Sequence, residues 1–241
     1  MAFRSGFVAI LGRPNVGKSS IMNRFVGEKV AIVSDRPQTT RSRILGVANA
    51  EGAQIVFVDT PGLHKPRTRL GEYMVKSAMD AREGVDAVLC VVDGRRIDEG
   101  DRAVMAEVAK MRCPKFLAVN KLDLTSPQTL MPQLDSLRGA GFDQIVPVSA
   151  KRGDGMDGLF RMLVDAMPEG PKYFPDDMPT DQPERILCAE IIREKALLNL
   201  REEIPHGVGV EMLAITKLSD TLTEIHANLY CEKASHKSII I

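Results

Sequence analysis

The chain has 241 residues, of which 44% are hydrophobic and 27% are charged, which is enough to bury one large core or two unequal ones. Its 32 Lys and Arg residues balance its 32 Asp and Glu residues, so no global field indicates a nucleic-acid or membrane partner. The 4 cysteines form no C-x-x-C pair, no cationic export signal is recognisable and no apolar run approaches about 18 residues, so we expect neither disulfides, nor a cysteine metal site, nor a membrane span.

The first motif is G-x-x-x-x-G-K-[ST], from Gly12 to Ser19. An apolar run at 7–11 predicts a buried strand before it, and residues 20–26 predict a helix after it. In that context backbone N–H groups and the positive end of the helix surround a phosphate chain, Lys18 reaches the outer phosphates and the Ser19 hydroxyl binds Mg²⁺. A chance match remains the alternative when the motif is taken alone. The candidate phosphate-binding residues are Gly12, Arg13, Pro14, Asn15, Val16, Gly17, Lys18, Ser19 and Ser20.

Two polar loops follow the first helix. Residues 27–43 are irregular, and a loop this long in a compact domain is typically functional or disordered. Strand-like runs at 44–48 and 54–58 come next, and the second delivers Asp59-Thr60-Pro61-Gly62 at the edge where open α/β sheets bind ligands. Polar residues 63–69 and a predicted helix at about 71–83 complete this part.

The loop residues have candidate roles around a nucleotide. A strand-end acid such as Asp59 contacts Mg²⁺, mostly through water, and Gly62 allows a backbone N–H to approach the γ-phosphate. Thr40, with Thr39 as the second choice, is the candidate for another hydroxyl on Mg²⁺. The alternatives are a turn-starting acid at Asp59 and a solvated loop threonine at Thr40.

Strands and helices then alternate up to residue 167, which argues for a mostly parallel sheet covered by helices on both faces. The predicted strands are 86–92, 115–119 and 145–148, and the predicted helices are 101–111, 127–139 and 154–167.

Asn120-Lys121-Leu122-Asp123, at the end of a predicted strand, indicates the base that is bound. The Asp123 carboxylate accepts two hydrogen bonds, which suits the N1–H and exocyclic amine of guanine, whereas adenine leaves the carboxylate unpaired. The Lys121 stem can pack over the base, and the backbone N–H of Ala150 in Ser149-Ala150-Lys151 can meet the guanine carbonyl. A solvated turn is the alternative for residues 120–123 taken alone, but it does not explain why this motif, the Gly12–Ser19 motif and residues 149–151 all lie at strand ends.

The composition changes between Pro168 and Pro183, where 5 prolines and little periodicity indicate a linker. A helix is predicted at 184–203 and strands at 208–218 and 224–232. The apolar end of the chain, 238–241, leads us to expect an incomplete second domain. The expected domains are 1–168, a linker at 169–182, and 183–241.

These motifs together resemble the five-motif set of translation-factor-class GTPases. Residues 12–20, 37–41 and 59–64 resemble the Era family within that class, and residues 183–195 and 224–230 resemble the start of its KH-type domain. The resemblance implies a P-loop GTPase domain of α/β fold, followed by a smaller α+β KH-type domain that is incomplete here.

The resemblance also implies a GTPase that binds GTP, GDP and Mg²⁺ and acts as a switch on small-subunit ribosomal RNA and in small-subunit assembly. We expect a cytoplasmic monomer, with peripheral inner-membrane association as in the family. The alternative is an RNA-assembly scaffold that binds nucleotide with negligible turnover. An ATPase is disfavoured by Asp123.

The hydrolytic machinery departs from that of many GTPases. Leu63 stands where a glutamine often orients the attacking water, so hydrolysis must rely on backbone groups, Mg²⁺ and residues such as Lys18, Thr40 and Gly62. In relatives that share the P-loop asparagine, this residue helps to hold K⁺, which implies the same role for Asn15. An ordinary turn residue is the alternative.

The second domain generates a prediction about RNA. Residues 183–241 contain no G-x-x-G loop of the kind with which KH domains clamp RNA, and residues 181–241 carry 7 basic against 10 acidic side chains. We expect this chain to bind a labelled fragment of the ribosomal RNA 3′ end weakly, and a version extended beyond Ile241 to bind it tightly, in fluorescence anisotropy over a salt series. Equal, strong and sequence-selective binding by both would contradict this expectation.

Overall fold

The computed structural model describes residues 2–33, 44–59, 84–199 and 208–231. Within these ranges the elements, in chain order, are β1 (Arg4–Gly12), α1 (Lys18–Val26), β2 (Ile44–Ala50), β3 (Ala53–Asp59), β4 (Ala87–Asp93), α2 (Glu99–Ala109), β5 (Lys115–Asn120), a 3₁₀ turn (Leu122–Leu124), α3 (Pro127–Leu137), β6 (Gln144–Pro147), α4 (Met156–Ala166), α5 (Glu184–Asn199), β7 (Val208–Lys217) and β8 (Thr223–Cys231).

Six of the described strands form one sheet in the order β2-β3-β1-β4-β5-β6. β1 lies parallel to both β3 and β4, and β5 lies parallel to both β4 and β6, so the prediction of a mostly parallel sheet is confirmed. β2 runs antiparallel to β3 because the turn between them is too short for a crossover; it passes through Gly52 at φ 71°.

Helices cover both faces of the sheet because alternate strand residues point to opposite sides. Ile10 joins a core cluster with Ile21 of α1 and Leu163 of α4, whereas its neighbour Leu11 joins a second cluster with Val108 of α2. The strands at the centre of the sheet are buried on both sides, and this explains their nearly continuous apolar sequences.

Cys90 lies fully buried in β4 within the second of these core clusters. Burial raises the pKa of the Cys90 thiol to about 12, so the side chain stays a neutral thiol at physiological pH. This agrees with the interpretation of Cys90 as a small apolar core residue.

Helix ends differ slightly from the predictions because capping residues set them. α2 begins at Glu99, two residues before the predicted start, since Asp98 and Asp101 form a reciprocal capping box. α3 begins at the predicted Pro127, with Ser126 as its N-cap. The predicted helix at 71–83 and the end of the helix predicted at 184–203 lie outside the described residues.

Residues 169–182, predicted to be a linker, contain neither helix nor strand, but they pack against the sheet: residues 173–174 contact β1 and β3, and residues 179–180 lie along the outer strand, β2. The Val47 N–H donates to Pro179 O at 2.8 Å, and the Thr180 hydroxyl donates to Leu45 O at 2.7 Å, so β2 is bonded on its outer side as well. The Tyr173 ring lies 5.0 Å, centroid to centroid, from the Phe7 ring. Composition alone did not predict this packing.

Gln54 of β3 is the main polar anchor of that segment and is fully buried. Its Oε1 accepts hydrogen bonds from the backbone N–H groups of Tyr173 and Phe174 at 2.8 and 2.9 Å, and its Nε2 donates to Phe174 O at 2.9 Å. Nε2 also donates to Asn49 Oδ1 at 2.8 Å. One amide thus satisfies three backbone groups.

The described residues of the second part of the chain form α5 and the antiparallel pair β7–β8, whose register shifts at Met212–Ala214. α5 is also tied to the first part through Glu194, which is buried. Glu194 Oε1 accepts a hydrogen bond from the Val33 backbone N–H at 2.8 Å, and Oε2 forms an ion pair with Lys29. Of the helices in the described ranges, none combines the length and the apolar character needed to cross a membrane.

Gln54→Ala is expected to lower the free energy of unfolding by about 2 kcal/mol or more, because it removes three hydrogen bonds to the backbone of residues 173–174 and leaves a space at the buried position of Gln54. Urea denaturation followed by circular dichroism measures this. Gln128→Ala, at an exposed position of α3, is the matched control and should change stability by less than about 0.5 kcal/mol. Equal effects of the two substitutions would contradict the anchoring role of Gln54.

Candidate functional site

The loop between β1 and α1 takes a shape that only glycine permits at two positions. Gly12 has φ 151°, and a Cβ there would lie 2.4 Å from Val91 O; Gly17 has φ 103°, and a Cβ there would lie 2.2 Å from Asn120 Nδ2. Gly17 is also the N-cap of α1 and has no side chain to cap it. The first-turn N–H groups of α1 are therefore not occupied by a capping side chain and are suited to binding an anion.

Lys18 is buried at the start of α1, and its Nζ donates to Arg13 O at 2.9 Å. Burial lowers the pKa of the Lys18 amine, and the negative charge of Asp59 opposes that shift. An incoming phosphate would partner a charge that the protein has already removed from water, which strengthens the attraction.

Ser19 and Asp59, predicted to hold Mg²⁺, lie together although they are far apart in the sequence. The Ser19 hydroxyl donates to Asp59 Oδ2 at 2.6 Å, and Asp59 is fully buried at the end of β3. A hydroxyl and a carboxylate are the oxygen ligands that Mg²⁺ prefers. The residues present therefore fit this ion.

The Arg13 side chain connects the P-loop with α2 instead of turning toward the phosphate position. It forms ion pairs with Asp98 and, at 3.5 Å, with Asp101. The hydrogen bond from Arg13 lowers the pKa of the Asp98 carboxyl, whereas burial raises the pKa of Asp101. The side chain of Arg13 thus fixes the loop, and its backbone carbonyl contacts Lys18.

Asn120 joins three of the predicted motifs. Its Nδ2 donates to Val16 O in the P-loop at 2.9 Å, and its Oδ1 accepts from the Ala150 N–H at 3.0 Å. Only 3% of Asn120 is exposed. The Ala150 N–H, predicted to meet the guanine carbonyl, is in this structure the donor that fixes residues 149–151 against the end of β5.

Asp123 lies in the 3₁₀ turn that follows β5 and is held by Ser149. The Ser149 hydroxyl donates to Asp123 Oδ1 at 2.7 Å and accepts from the Arg152 backbone N–H at 3.1 Å. This orients the carboxylate that we predict to bind the base. Lys151, the last residue of that motif, is exposed.

Sequence reasoning missed Asp93 at the end of β4. The Lys121 Nζ lies 2.9 Å from Asp93 Oδ2 and donates to Asn15 O at 2.6 Å. The signal was present, because Asp93 follows an apolar strand just as Asp59 does, and the carboxyl ends of parallel strands meet at one sheet edge.

The described part of the chain thus brings together the P-loop, Asp59, residues 120–123 and residues 149–150 at that edge. Several predicted residues lie outside the described ranges: Thr39, Thr40, Thr60, Pro61, Gly62 and Leu63. Asn15, the candidate K⁺ ligand, is exposed in the P-loop at φ 64°.

Comparison with known proteins identifies the family. A family model described as 50S ribosome-binding GTPase matches residues 7–121. The GTPase Era of Alkaliphilus metalliredigens is 50% identical over 244 residues, which cover 100% of this chain and 83% of that protein. This chain belongs to the Era family of GTPases. The Era GTPase of Clostridioides difficile is 49% identical and covers 99% of this chain, with 82% of its own length matched.

Two solved Era structures have the same fold over 99% of this chain. Aquifex aeolicus Era, in a variant bound to GDP·AlF4⁻, has a TM-score of 0.90 at 36% identity, with 83% of that chain covered. An Era complex with MgGDPNP and nucleotides 1506–1542 of 16S ribosomal RNA has a TM-score of 0.89 at 37% identity, with 82% covered. The similarity to Era therefore includes the region after residue 168.

Asn120→Asp is expected to weaken GDP binding by about tenfold or more, because a carboxylate cannot donate to Val16 O and leaves this carbonyl unpaired and repelled. Titration with a fluorescent GDP analogue measures the loss. Asn199→Asp, the same change at an exposed position at the end of α5, is the control and should retain the parent affinity. Parent-like affinity of Asn120→Asp would refute the joining role of Asn120.

Proposed function

We propose that this chain is a GTP-hydrolysing molecular switch that binds small-subunit ribosomal RNA and assists assembly of the small ribosomal subunit. The observation that carries the nucleotide part is the hydrogen bonding of Asn120, which connects Val16 of the P-loop to Ala150. The neighbouring Ser149 donates a hydrogen bond to Asp123. The RNA part is supported by the related Era complex with a 16S ribosomal RNA fragment.

The reaction converts GTP and water into GDP and phosphate. In the proposed site the first-turn N–H groups of α1 hold the phosphates, and Lys18 supplies a largely desolvated positive charge to the outer ones. Ser19 and Asp59 would hold Mg²⁺, which neutralises charge on the phosphate oxygens. Thr40 and the Gly62 N–H are the proposed additional contacts from the two loops.

Asp123 reads the guanine edge, and the Lys121 stem covers the base. Leu63 offers no hydrogen bond to water, so we propose that backbone groups place the attacking water and that Asn15 would help to hold K⁺, which would supply positive charge to the phosphates. The residues carrying nucleotide contacts are those of the P-loop (12–20), Asp59, Thr60, Pro61, Gly62, Asn120, Lys121, Asp123, Ser149, Ala150 and Lys151.

The switch part of the proposal draws support from the contact of α5 with the first part of the chain. Glu194 accepts a hydrogen bond from the backbone N–H of Val33, which lies seven residues before Thr40 in the predicted loop 27–43. A γ-phosphate orders such loops and its removal releases them. The Glu194 contact provides a direct route from this loop to the part of the chain that we propose binds RNA.

The remaining proposals follow the same family similarity. We assign the nucleotide domain to 1–168, the connecting segment to 169–182 and the KH-type RNA-binding part to 183–241. We place the protein in the cytoplasm as a monomer, with peripheral association at the inner membrane. The family model named for 50S binding matches only residues 7–121, so it leaves the RNA partner of the second part open.

The rival function is a nucleotide-binding assembly scaffold with negligible turnover. Leu63 is compatible with this function because its side chain cannot orient an attacking water. Phosphate release by the purified chain in K⁺ buffer, compared with Na⁺ buffer, separates the two. We expect multiple turnovers that are faster in K⁺, and loss of turnover in Lys18→Ala. Tight GTP binding without turnover in either buffer would favour the scaffold.

Asp123→Asn is expected to shift preference from guanine toward xanthine nucleotides by about tenfold or more, because an amide donates a hydrogen bond where guanine requires an acceptor. Competition titrations with GTP and XTP measure the ratio of affinities. Asp135→Asn, an exposed change on α3, should leave that ratio at the parent value. An unchanged GTP/XTP ratio in Asp123→Asn would contradict the assignment of Asp123 to the base.

A further inference from the structure

The amino group of Lys121 contacts a backbone carbonyl oxygen of the P-loop and a carboxylate oxygen at the end of β4. Its Nζ donates to Asn15 O of the P-loop at 2.6 Å and lies 2.9 Å from Asp93 Oδ2. The side chains of Lys121 and Asp93 are only 21% and 17% exposed, so this ion pair is partly shielded from water. The first contact ties Lys121 to the phosphate side of the site, and the second ties it to β4.

Asp93 is itself fixed on its other side by Arg95. The Arg95 guanidinium donates from Nε to Asp93 Oδ1 at 3.0 Å and from Nη2 to Oδ2 at 2.7 Å, and the Arg95 backbone N–H donates to Oδ1 at 3.0 Å. Burial alone raises the pKa of the Asp93 carboxyl, but the hydrogen bonds from Arg95 and Lys121 outweigh this and hold the pKa below its usual value. The carboxylate is therefore ionised at neutral pH.

The backbone beneath Asp93 is part of the sheet and not of a loop. Asp93 pairs with Asn120 in the parallel β4–β5 ladder, and the N–H of Gly94 donates to Asn120 O at 2.7 Å. A Cβ at Gly94 would lie 2.9 Å from that same oxygen. The position of the Asp93 carboxylate is thus set by the same strand pairing that places Asn120.

We propose that Asp93 is a positioning residue of the nucleotide site: it holds Lys121 in the extended arrangement that lets the lysine stem lie over the base. This inference rests on the proposed function of residues 120–123 as the base site. A lysine stem has four carbons and large rotamer freedom, which must be given up when a ligand binds. Asp93 imposes that order before the nucleotide arrives, so its removal transfers the ordering cost to the binding step.

This role predicts a pattern that differs from the pattern for Asp123. The lysine stem covers the face of the base and does not read its exocyclic groups. Loss of Asp93 should therefore weaken the binding of guanine and hypoxanthine nucleotides by the same factor. Loss of Asp123 should instead change the discrimination between bases.

The experiment uses the full 241-residue chain with Asp93→Asn, which keeps the shape and removes the charge. Stopped-flow displacement of fluorescent GDP and IDP is expected to show about three- to tenfold faster dissociation for both, since affinity changes of this kind appear mostly in the off-rate. In steady-state hydrolysis KM should rise while kcat stays at the parent value. Asp135→Asn is the matched control, because Asp135 also pairs with an arginine, at 3.1 Å, on an exposed helix surface.

A double-mutant cycle with Lys121→Met tests whether Asp93 acts through Lys121, because methionine keeps an apolar stem and removes the amino group. In the Lys121→Met background, Asp93→Asn should change dissociation less than about twofold. The same increase in the dissociation rate in both backgrounds, or no increase in the parent background, would overturn the proposal.

Arg95→Gln changes the exposed partner of Asp93. It should raise the dissociation rates of GDP and IDP by a smaller factor that is again the same for both nucleotides. A selective effect on one of the two nucleotides would contradict the positioning role.

The GDP dissociation rates distinguish a chain without a nucleotide site from a chain in which Asp93 has no positioning role. If the parent chain does not bind GDP, the proposed nucleotide site fails and the inference about Asp93 fails with it. If the parent binds GDP and Asp93→Asn matches it in dissociation rate and KM, only the inference about Asp93 is overturned.

Discussion

The buried amide of Asn120 is the constraint on which the nucleotide site depends. Its donor and acceptor are both used, one on the P-loop and one on the loop of Ala150, and neither partner lies near Asn120 in the sequence. Because the amide is buried, losing either hydrogen bond leaves a polar group unpaired. Gly17 approaches the same amide closely because Asn120 holds the P-loop against β5. A side chain at residue 17 would push the P-loop away from β5.

Charges at the carboxyl edge of the sheet are arranged as a set of partnered groups. Lys18 and Asp59 form the inner group under the phosphate position, and Arg13 with Asp98 anchors the loop to α2. Each charged side chain is thereby oriented before a ligand arrives, which reduces the reorganisation needed on binding. Residues outside the P-loop motif thus determine both its shape, through Asp98, and the charge around Lys18, through Asp59.

Much of this arrangement could be predicted from the sequence, since local patterns determine it. Apolar runs indicated the strands, and motifs at their ends indicated the site residues, because parallel strands bring their carboxyl ends to one edge. The role of Gln54 was not predictable, since a single glutamine in an apolar strand gives no sign of which distant backbone it will satisfy. Asp93 differs from Gln54, because its place at the end of an apolar strand could be seen in the sequence, but its partner Lys121 is identified only by the β4–β5 register.

Residues 169–182 also determine where the sheet stops. A strand edge normally presents N–H and C=O groups that can pair with another chain. Here Val47 and Leu45 are already bonded to residues 179 and 180, and the covering segment includes Pro171, Pro175 and Pro179. Proline has no N–H to offer to a further strand. The segment therefore satisfies β2, with Pro179 O as an acceptor and the Thr180 hydroxyl as a donor, without presenting a regular new edge, and it protects the molecule from edge-to-edge association on that side.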